Sequence, residues 1–425
     1  MQSIVRRASR LVSPTLAVLL LANARDARAQ TGLDFIQFGA QAIGVVTRES
    51  PAVHSEDFTE AYLTQPLIMA RVNPWNELLT ASAMLDFEGY TLKRGELNAG
   101  IVGEGYIDRR HPHTYLHELI LSSTRRFGEK GVSGISASLG KGFVPFGTDD
   151  PMSRPFEKYP INHHLSQILE RIVGIGAARA GSLIFELGAF NGDEPTGPGD
   201  TPNRSRYWDS WSGRVTYLPW PQGEIQTSYA RVKSPENPDG GGADQRKQSA
   251  SVRLEDKQQS GYALFEWSRT DTYSGSARSF TFSSLLAETW AKYDRVNGAL
   301  RVEYTERPDE QRTTDDFRTP VPPSDLSIAG RSRWTIITAR LAASLLDKSQ
   351  FFLEPFVEVA RADVSPTLQP SGFDPRQFYG SSRIWSVSLG AKVAFNMTHM
   401  RMGRYGVAAA GQPHGRMGSM NMEGM

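Results

Sequence analysis

The 425-residue chain contains no cysteine. A disulfide framework, a thiol nucleophile and a thiolate zinc site are therefore excluded. No apolar run reaches the length of about 20 residues that a spanning helix needs, which excludes a helical membrane protein. An excess of one charge is missing too: 47 basic and 46 acidic side chains almost cancel. Without a basic face there is no electrostatic footprint for nucleic acid.

At the beginning of the chain, Arg6, Arg7 and Arg10 precede an apolar run from Leu16 to Leu21, and Ala27-Arg28-Ala29 follows. These are the three parts of a secretory signal, so cleavage after Ala29 and a mature start at Gln30 are predicted. Losing five arginines (Arg6, Arg7, Arg10, Arg25, Arg28) and Asp26 leaves 42 basic and 45 acidic groups, net −3. An exported chain without disulfides must be stabilised in another way. A closed β-barrel does so, because each ladder hydrogen bond finds its partner within the wall.

The chain is rich in 39 glycines, 20 phenylalanines, 14 tyrosines and 8 tryptophans, and segment after segment alternates with period two. Leu79, Ala81, Ala83, Leu85 and Phe87 interleave with Thr80, Ser82, Met84, Asp86 and Glu88. Ala250, Val252 and Leu254 do so with Ser249, Ser251, Arg253 and Glu255, and Leu300, Val302 and Tyr304 with Arg301 and Glu303. Such spacing puts one apolar and one polar face on each strand. A soluble sandwich shares this local pattern, so the decision rests on loop rhythm. Short turn signals fall at 73–76, 128–131, 180–182, 219–223, 256–261, 294–298 and 347–350. Long polar stretches at 91–111, 191–206, 307–330 and 363–383 lie between them. Short turns at one rim and long loops at the other are the pattern of a transmembrane barrel. Seven turns make eight hairpins, hence an all-β, antiparallel transmembrane barrel of about 16 strands (14–18) with a water-filled lumen.

The last alternating segment is the most specific. Trp385, Val387, Leu389, Ala391, Val393 and Phe395 form an unbroken apolar face opposite Ser386, Ser388, Gly390, Lys392 and Asn396. With its polar Ser388, Gly390, hydrophobic Val393 and aromatic Phe395, the stretch resembles the β-signal of outer-membrane proteins. That resemblance implies recognition by the outer-membrane assembly machinery. About thirty residues follow Phe395, whereas the signal usually ends the chain. Gly140-Lys141-Gly142-Phe143-Val144-Pro145-Phe146-Gly147, ahead of the polar stretch 148–155, resembles a turn of porin-like barrels related to phosphate-selective and other substrate-specific porins. The resemblance implies an outer-membrane location, lipid contact, passage of small hydrophilic solutes and a homotrimer. A phosphate pore would line its lumen with Arg and Lys. Here the expected pore-lining set is mixed: Arg253, Arg301, Arg340 and Lys392 with Asp86, Glu88, Glu186, Glu255, Glu266, Glu303, Glu354 and Glu358.

Two clusters bear on metal. His111, His113 and His117 share parity, and His163 and His164 follow at a distance; imidazole suits zinc or copper. The same residues read, more simply, as the polar mouth of a strand and part of a constriction loop. Seven of eleven methionines fall from Met397 onward, with His399 and His414 among them. That tail, 399–425, reads as a flexible terminus or as a soft-metal ligand for copper. Residues 161–171 show helical spacing and, with the long loop 148–160 before them, would either fold into the lumen as a constriction or pack as a surface loop helix on a neighbour. No local signature marks a serine–histidine pair or a phosphate-binding loop, so no enzyme is expected and no resident cofactor beyond copper or zinc. The expected organisation is a signal segment 1–29, a barrel 30–398 and the tail 399–425. The leading function is a passive diffusion channel, and the alternative is a copper- or zinc-binding barrel of efflux or resistance.

Overall fold

The computed structural model describes residues 36–411, apart from 51–56, 93–112, 129–131, 162, 196, 258–259, 311–327, 349–350, 368–373, 375, 377–379 and 397–401. The signal segment, His111, His399 and the chain beyond Gly411 lie outside the described residues. Sixteen long strands form one sheet: β1 (Ile36–Ser50), β2 (Phe58–Val72), β3 (Thr80–Asp86), β4 (Leu116–Phe127), β5 (Ser133–Gly142), β6 (Arg171–Ala180), β7 (Leu183–Phe190) and β8 (Ser210–Tyr217), followed by β9 (Gly223–Val232), β10 (Asp244–Glu255), β11 (Gly261–Ser274), β12 (Ala277–Tyr293), β13 (Val296–Glu310), β14 (Ile328–Ala343), β15 (Phe351–Pro366) and β16 (Arg383–Phe395). A short extended piece, Leu346–Lys348, pairs with the start of β15. Each strand pairs antiparallel with its sequence neighbour, and β1 closes on β16 from Ala40↔Phe395 to Ser50↔Trp385. Closure removes both sheet edges, which a lipid environment would leave without hydrogen-bond partners.

The seven stretches expected as short turns all lie in sequence between strands that pair at one rim, where the end of β16 also lies. At 73–76 the chain is a short extended piece, Pro74–Glu77, and parts of 128–131, 256–261 and 347–350 lie outside the described residues. At the other rim, the predicted loops at 307–330 and 363–383 are shorter than expected. There β13 runs on to Glu310, β14 begins at Ile328 and β15 continues to Pro366. The same rim also holds a tight turn at Gly275 that sequence reading passed over, with φ +63°.

The wall is inverted relative to a water-soluble protein. Val387, Leu389 and Val393 of β16 face outward and are exposed, as are Phe265, Leu285, Leu300 and Ile337, while Ser386 and Ser388 are buried inside. Lipid covers such a face at no hydration cost, which is why strict alternation survives in so many strands. Phe395 lies at the short-turn rim against Phe351 and Phe38, with ring centroids 5.0 and 6.4 Å away. Gly390 points inward at the same height as Phe356, and a Cβ there would lie 2.6 Å from that ring. Glycine at this position of β16 therefore makes room for an aromatic side chain on the neighbouring strand.

Candidate functional site

The lumen is crossed by the segment between β5 and β6, residues 143–170, hereafter the third loop. Three glycines of the quoted motif explain its course. At Gly140 (φ +150°) a Cβ would lie 2.0 Å from the Leu119 carbonyl oxygen, and at Gly142 it would lie 2.4 Å from the Tyr405 hydroxyl. Gly147 has φ +68°, and its missing Cβ would fall 1.5 Å from the Ser166 carbonyl oxygen, so the two limbs of the loop touch there. Pro145 sits in the space left by Gly188 of β7, where a Cβ would come within 2.7 Å of it. The Val144 amide donates to the Ile168 carbonyl at 3.0 Å and joins the limbs. Phe143, Val144, Phe146, Met152, Tyr159 and Ile168 pack with Leu67, Met84, Ile120, Val173 and Phe190 of the wall into an apolar cluster inside the barrel. Of the helix expected at 161–171, only the single turn His163–Ser166 forms.

The loop is fixed to the far wall by the charges expected to line the pore. Glu358 accepts from the Glu157 amide at 2.9 Å and from the Lys158 amide at 3.2 Å, and Glu303 accepts from the Ile161 amide at 2.8 Å. Arg301 donates to the Lys158 carbonyl at 2.9 Å, and Lys247 donates to the His164 carbonyl at 2.7 Å. Thr148 donates to Glu266. The wall charges also pair among themselves: Arg253 with Glu255 at 2.7 Å, Arg301 with Glu303 at 3.0 Å and Arg340 with Glu354 at 2.9 Å. Glu186 receives two hydrogen bonds from Arg214, at 2.6 and 2.7 Å. Asp86, Glu88, Glu186, Arg253, Glu255, Glu266, Arg301, Glu303, Arg340, Glu354 and Glu358 are all buried, and Lys392 is half-buried on the inward parity of β16. Glu88 departs from the expected strand position. β3 ends at Asp86, and Glu88 opens a short helix, Glu88–Thr91, where it accepts from Thr64 at 2.7 Å and the Gln65 amide at 2.8 Å.

Sequence reading missed a second element in the lumen. Of the tail expected from 399 onward, Met402–Gly411 is described, ending in a 3-10 turn Gly406–Gly411, and it is packed against the inner wall. Arg404 donates to Glu224 at 2.6 Å, Gln226 at 2.8 Å and Thr216 at 3.1 Å. Tyr405 donates to Glu118 at 2.8 Å and accepts from the Phe143 amide at 3.0 Å, which ties this segment to the third loop. Val407 and Ala408 have no solvent exposure. The lumen is consequently narrower than strand alternation alone suggests. Burial, against the pull of the Lys158 ammonium and with the help of Glu358, holds the Glu157 carboxyl of the third loop up at about 7.

The histidines divide. His113 and His117 come together, their rings 5.1 Å apart, beside Asp86. The rings of His163 and His164 lie 4.0 Å apart, tilted by 47°, and His163 bonds to the Pro160 carbonyl at 2.8 Å. Asp86, expected as a pore-lining charge, is thus a neighbour of the histidine pair.

A closed 16-stranded antiparallel barrel, apolar outside, polar inside and narrowed by an infolded loop, defines the class of transmembrane β-barrels. Among solved structures the chain is similar to the outer-membrane channel DcaP of Acinetobacter baumannii, at 10% identity over 86% of this chain and 99% of that one (TM-score 0.49). It is similar also to an anion-selective porin from Comamonas acidovorans, at 11% identity over 85% and 99% (TM-score 0.48). OmpT of Vibrio cholerae in a trimer form is a further neighbour, at 10% identity over 84% and 98% (TM-score 0.47). No family model and no curated protein sequence matches the chain.

Proposed function

We propose that the protein is a channel for passive diffusion of small hydrophilic solutes or ions across the outer membrane. The third loop and the segment Met402–Gly411 set the width of its passage. The observation that carries this reading is the inverted wall: a polar inner face around an infolded loop has no packing purpose that an apolar core would not serve better. Purified folded protein in a planar bilayer should give discrete conductance steps without any added metal. A folded, heat-modifiable barrel that stays silent at every voltage would refute the channel.

Export, assembly and oligomerisation belong to the same proposal. The signal segment 1–29 directs secretion, and β16 with Ser388, Gly390, Val393 and Phe395 is read by the assembly machinery. The mature chain then starts at Gln30 and inserts among outer-membrane lipids as a homotrimer. Amino-terminal sequencing of the outer-membrane fraction and crosslinking of the folded protein check these points. A start at Met1 or recovery in the soluble fraction would overturn the export route, and crosslinking that stops at the monomer would remove the trimer.

A further inference from the structure

One group of ligating side chains takes no part in anchoring the third loop to the far wall. Asp86 ends β3, His113 precedes β4 and His117 lies near its start, and one ligand atom from each lies within 4.8 Å of the others. All three residues are buried. A bulge opposite Met84 and Leu85 turns His117 and Glu118 inward together, so His117 reaches this group although alternation would send one of the two outward. From the third loop, Asp150 brings its Oδ2 to 3.5 Å from the Nε2 of His117.

The hydrogen bonds around the group sort its atoms. Asp86 and Asp150 each use Oδ1 to accept a backbone amide, from Glu88 and Met152 respectively, both at 2.8 Å. Their Oδ2 atoms, and Nε2 of His117, are buried without a hydrogen-bond partner. Such atoms are costly to bury; with His117 inside the cluster of Asp86 and His113 and its Nε2 only 3.5 Å from Asp150, they point to something that binds them. Glu170 lies 3.0 Å from Nδ1 of His117 and also accepts from the Thr114 amide at 2.9 Å. A carboxylate on one ring nitrogen fixes that nitrogen as the donor and leaves the other with a lone pair for a metal.

We propose that Asp86, His113, His117 and Asp150 form a site for one divalent transition-metal ion of the zinc class, with Glu170 as the residue that orients His117. Two imidazoles and two carboxylate oxygens are a borderline-hard set that suits zinc or cobalt(II) in four-coordination and disfavours Cu(I). Two carboxylates also balance the charge of a divalent ion in this buried place. Because Asp150 belongs to the loop and the other three to the β3–β4 side of the wall, the ion fastens the constriction to the barrel.

The test uses the folded mature protein, stripped with a chelator and titrated with Co²⁺. One equivalent should give the intense visible absorption of tetrahedral cobalt, displaced stoichiometrically by Zn²⁺. Asp86→Asn, His117→Gln and Asp150→Asn should each abolish the band, His164→Gln should retain it, and Glu170→Gln should weaken binding about 10- to 100-fold. A wild-type protein with no tetrahedral band overturns the site, as does a band that persists in any folded variant of the four ligands. Because the band is read in the wild type and Asp150→Asn alters only the loop, a variant that fails to assemble does not shelter the proposal. Conductance is measured without metal, so the channel and this site stand or fall separately.

Discussion

Single side chains decide how the wall and the loop meet. Phe395 completes an aromatic group with Phe38 and Phe351 at the short-turn rim, while Ser388 faces inward and bonds to Thr47 at 2.7 Å. A charge on the lipid side costs between about 0 and 4 kcal/mol depending on depth, whereas losing one hydroxyl contact costs about 1 kcal/mol. Phe395→Asp should therefore lower the yield of folded, heat-modifiable barrel far more than Ser388→Ala, and equal yields would remove β16 as an assembly signal. A second residue-scale prediction concerns Glu157. Its folded pKa, about 7, lies above the ordinary 4.5, so the folded protein holds the proton more tightly than the unfolded chain. The stabilisation is complete below about 4.5 and is lost as pH rises through 7. Thermal stability of the wild type should fall across that window, and Glu157→Gln should flatten the fall. A mutant with an unchanged pH profile would mean that another group titrates.

At the scale of the element, the strands are legible in the sequence, the infolded loop is legible as one of two alternatives, and the tail segment inside the barrel is not. A lipid-facing wall enforces period two along its strands, and turns such as 180–182 or 294–298 announce themselves through small and polar residues. The stretch 140–147 reads as a turn, but that Phe143, Val144 and Phe146 fill the inside of the barrel depends on distant partners such as Leu67 and Phe190. The tail segment was hidden for the same reason. Arg404 and Tyr405 sit in a Gly- and Met-rich stretch, and their partners Glu224 and Glu118 are 180 and 287 residues away. Shared parity places His111, His113 and His117 on one face; in the fold His113 and His117 do lie together, but a bulge and not plain alternation turns His117 inward, and His111 lies outside the described residues. Truncation after Thr398 tests what the segment does. It frees Glu224, Gln226 and Glu118 from Arg404 and Tyr405 and leaves the barrel's own pairing untouched. Single-channel conductance should rise roughly twofold or more, because a side-chain-filled part of the passage becomes water. An unchanged conductance in a properly folded truncation would show that Met402–Gly411 does not restrict the path.

For the whole molecule, the arrangement of charge matters more than its amount. The 425 residues nearly balance, at net +1, and the inner wall distributes its charges as close pairs. Arg214 with Glu186, Arg253 with Glu255, Arg301 with Glu303 and Arg340 with Glu354 are each held within 3.0 Å. A tight pair presents a dipole, whose field falls faster with distance than that of a lone charge, and salt screens what remains within about 8 Å at physiological ionic strength. A ring of unpaired arginines would behave differently, holding an anion-attracting potential across the lumen. The reversal potential in a KCl gradient should accordingly show a modest preference, with a cation-to-anion permeability ratio inside about tenfold either way. Breaking one pair should shift it: Glu186→Gln leaves Arg214 as an unbalanced cation beside the Gly147 carbonyl, 3.2 Å away, and should move the ratio toward anions. Strong selectivity in the wild type, or a Glu186→Gln protein that folds and keeps the wild-type ratio, would show that the paired wall does not set what the channel passes.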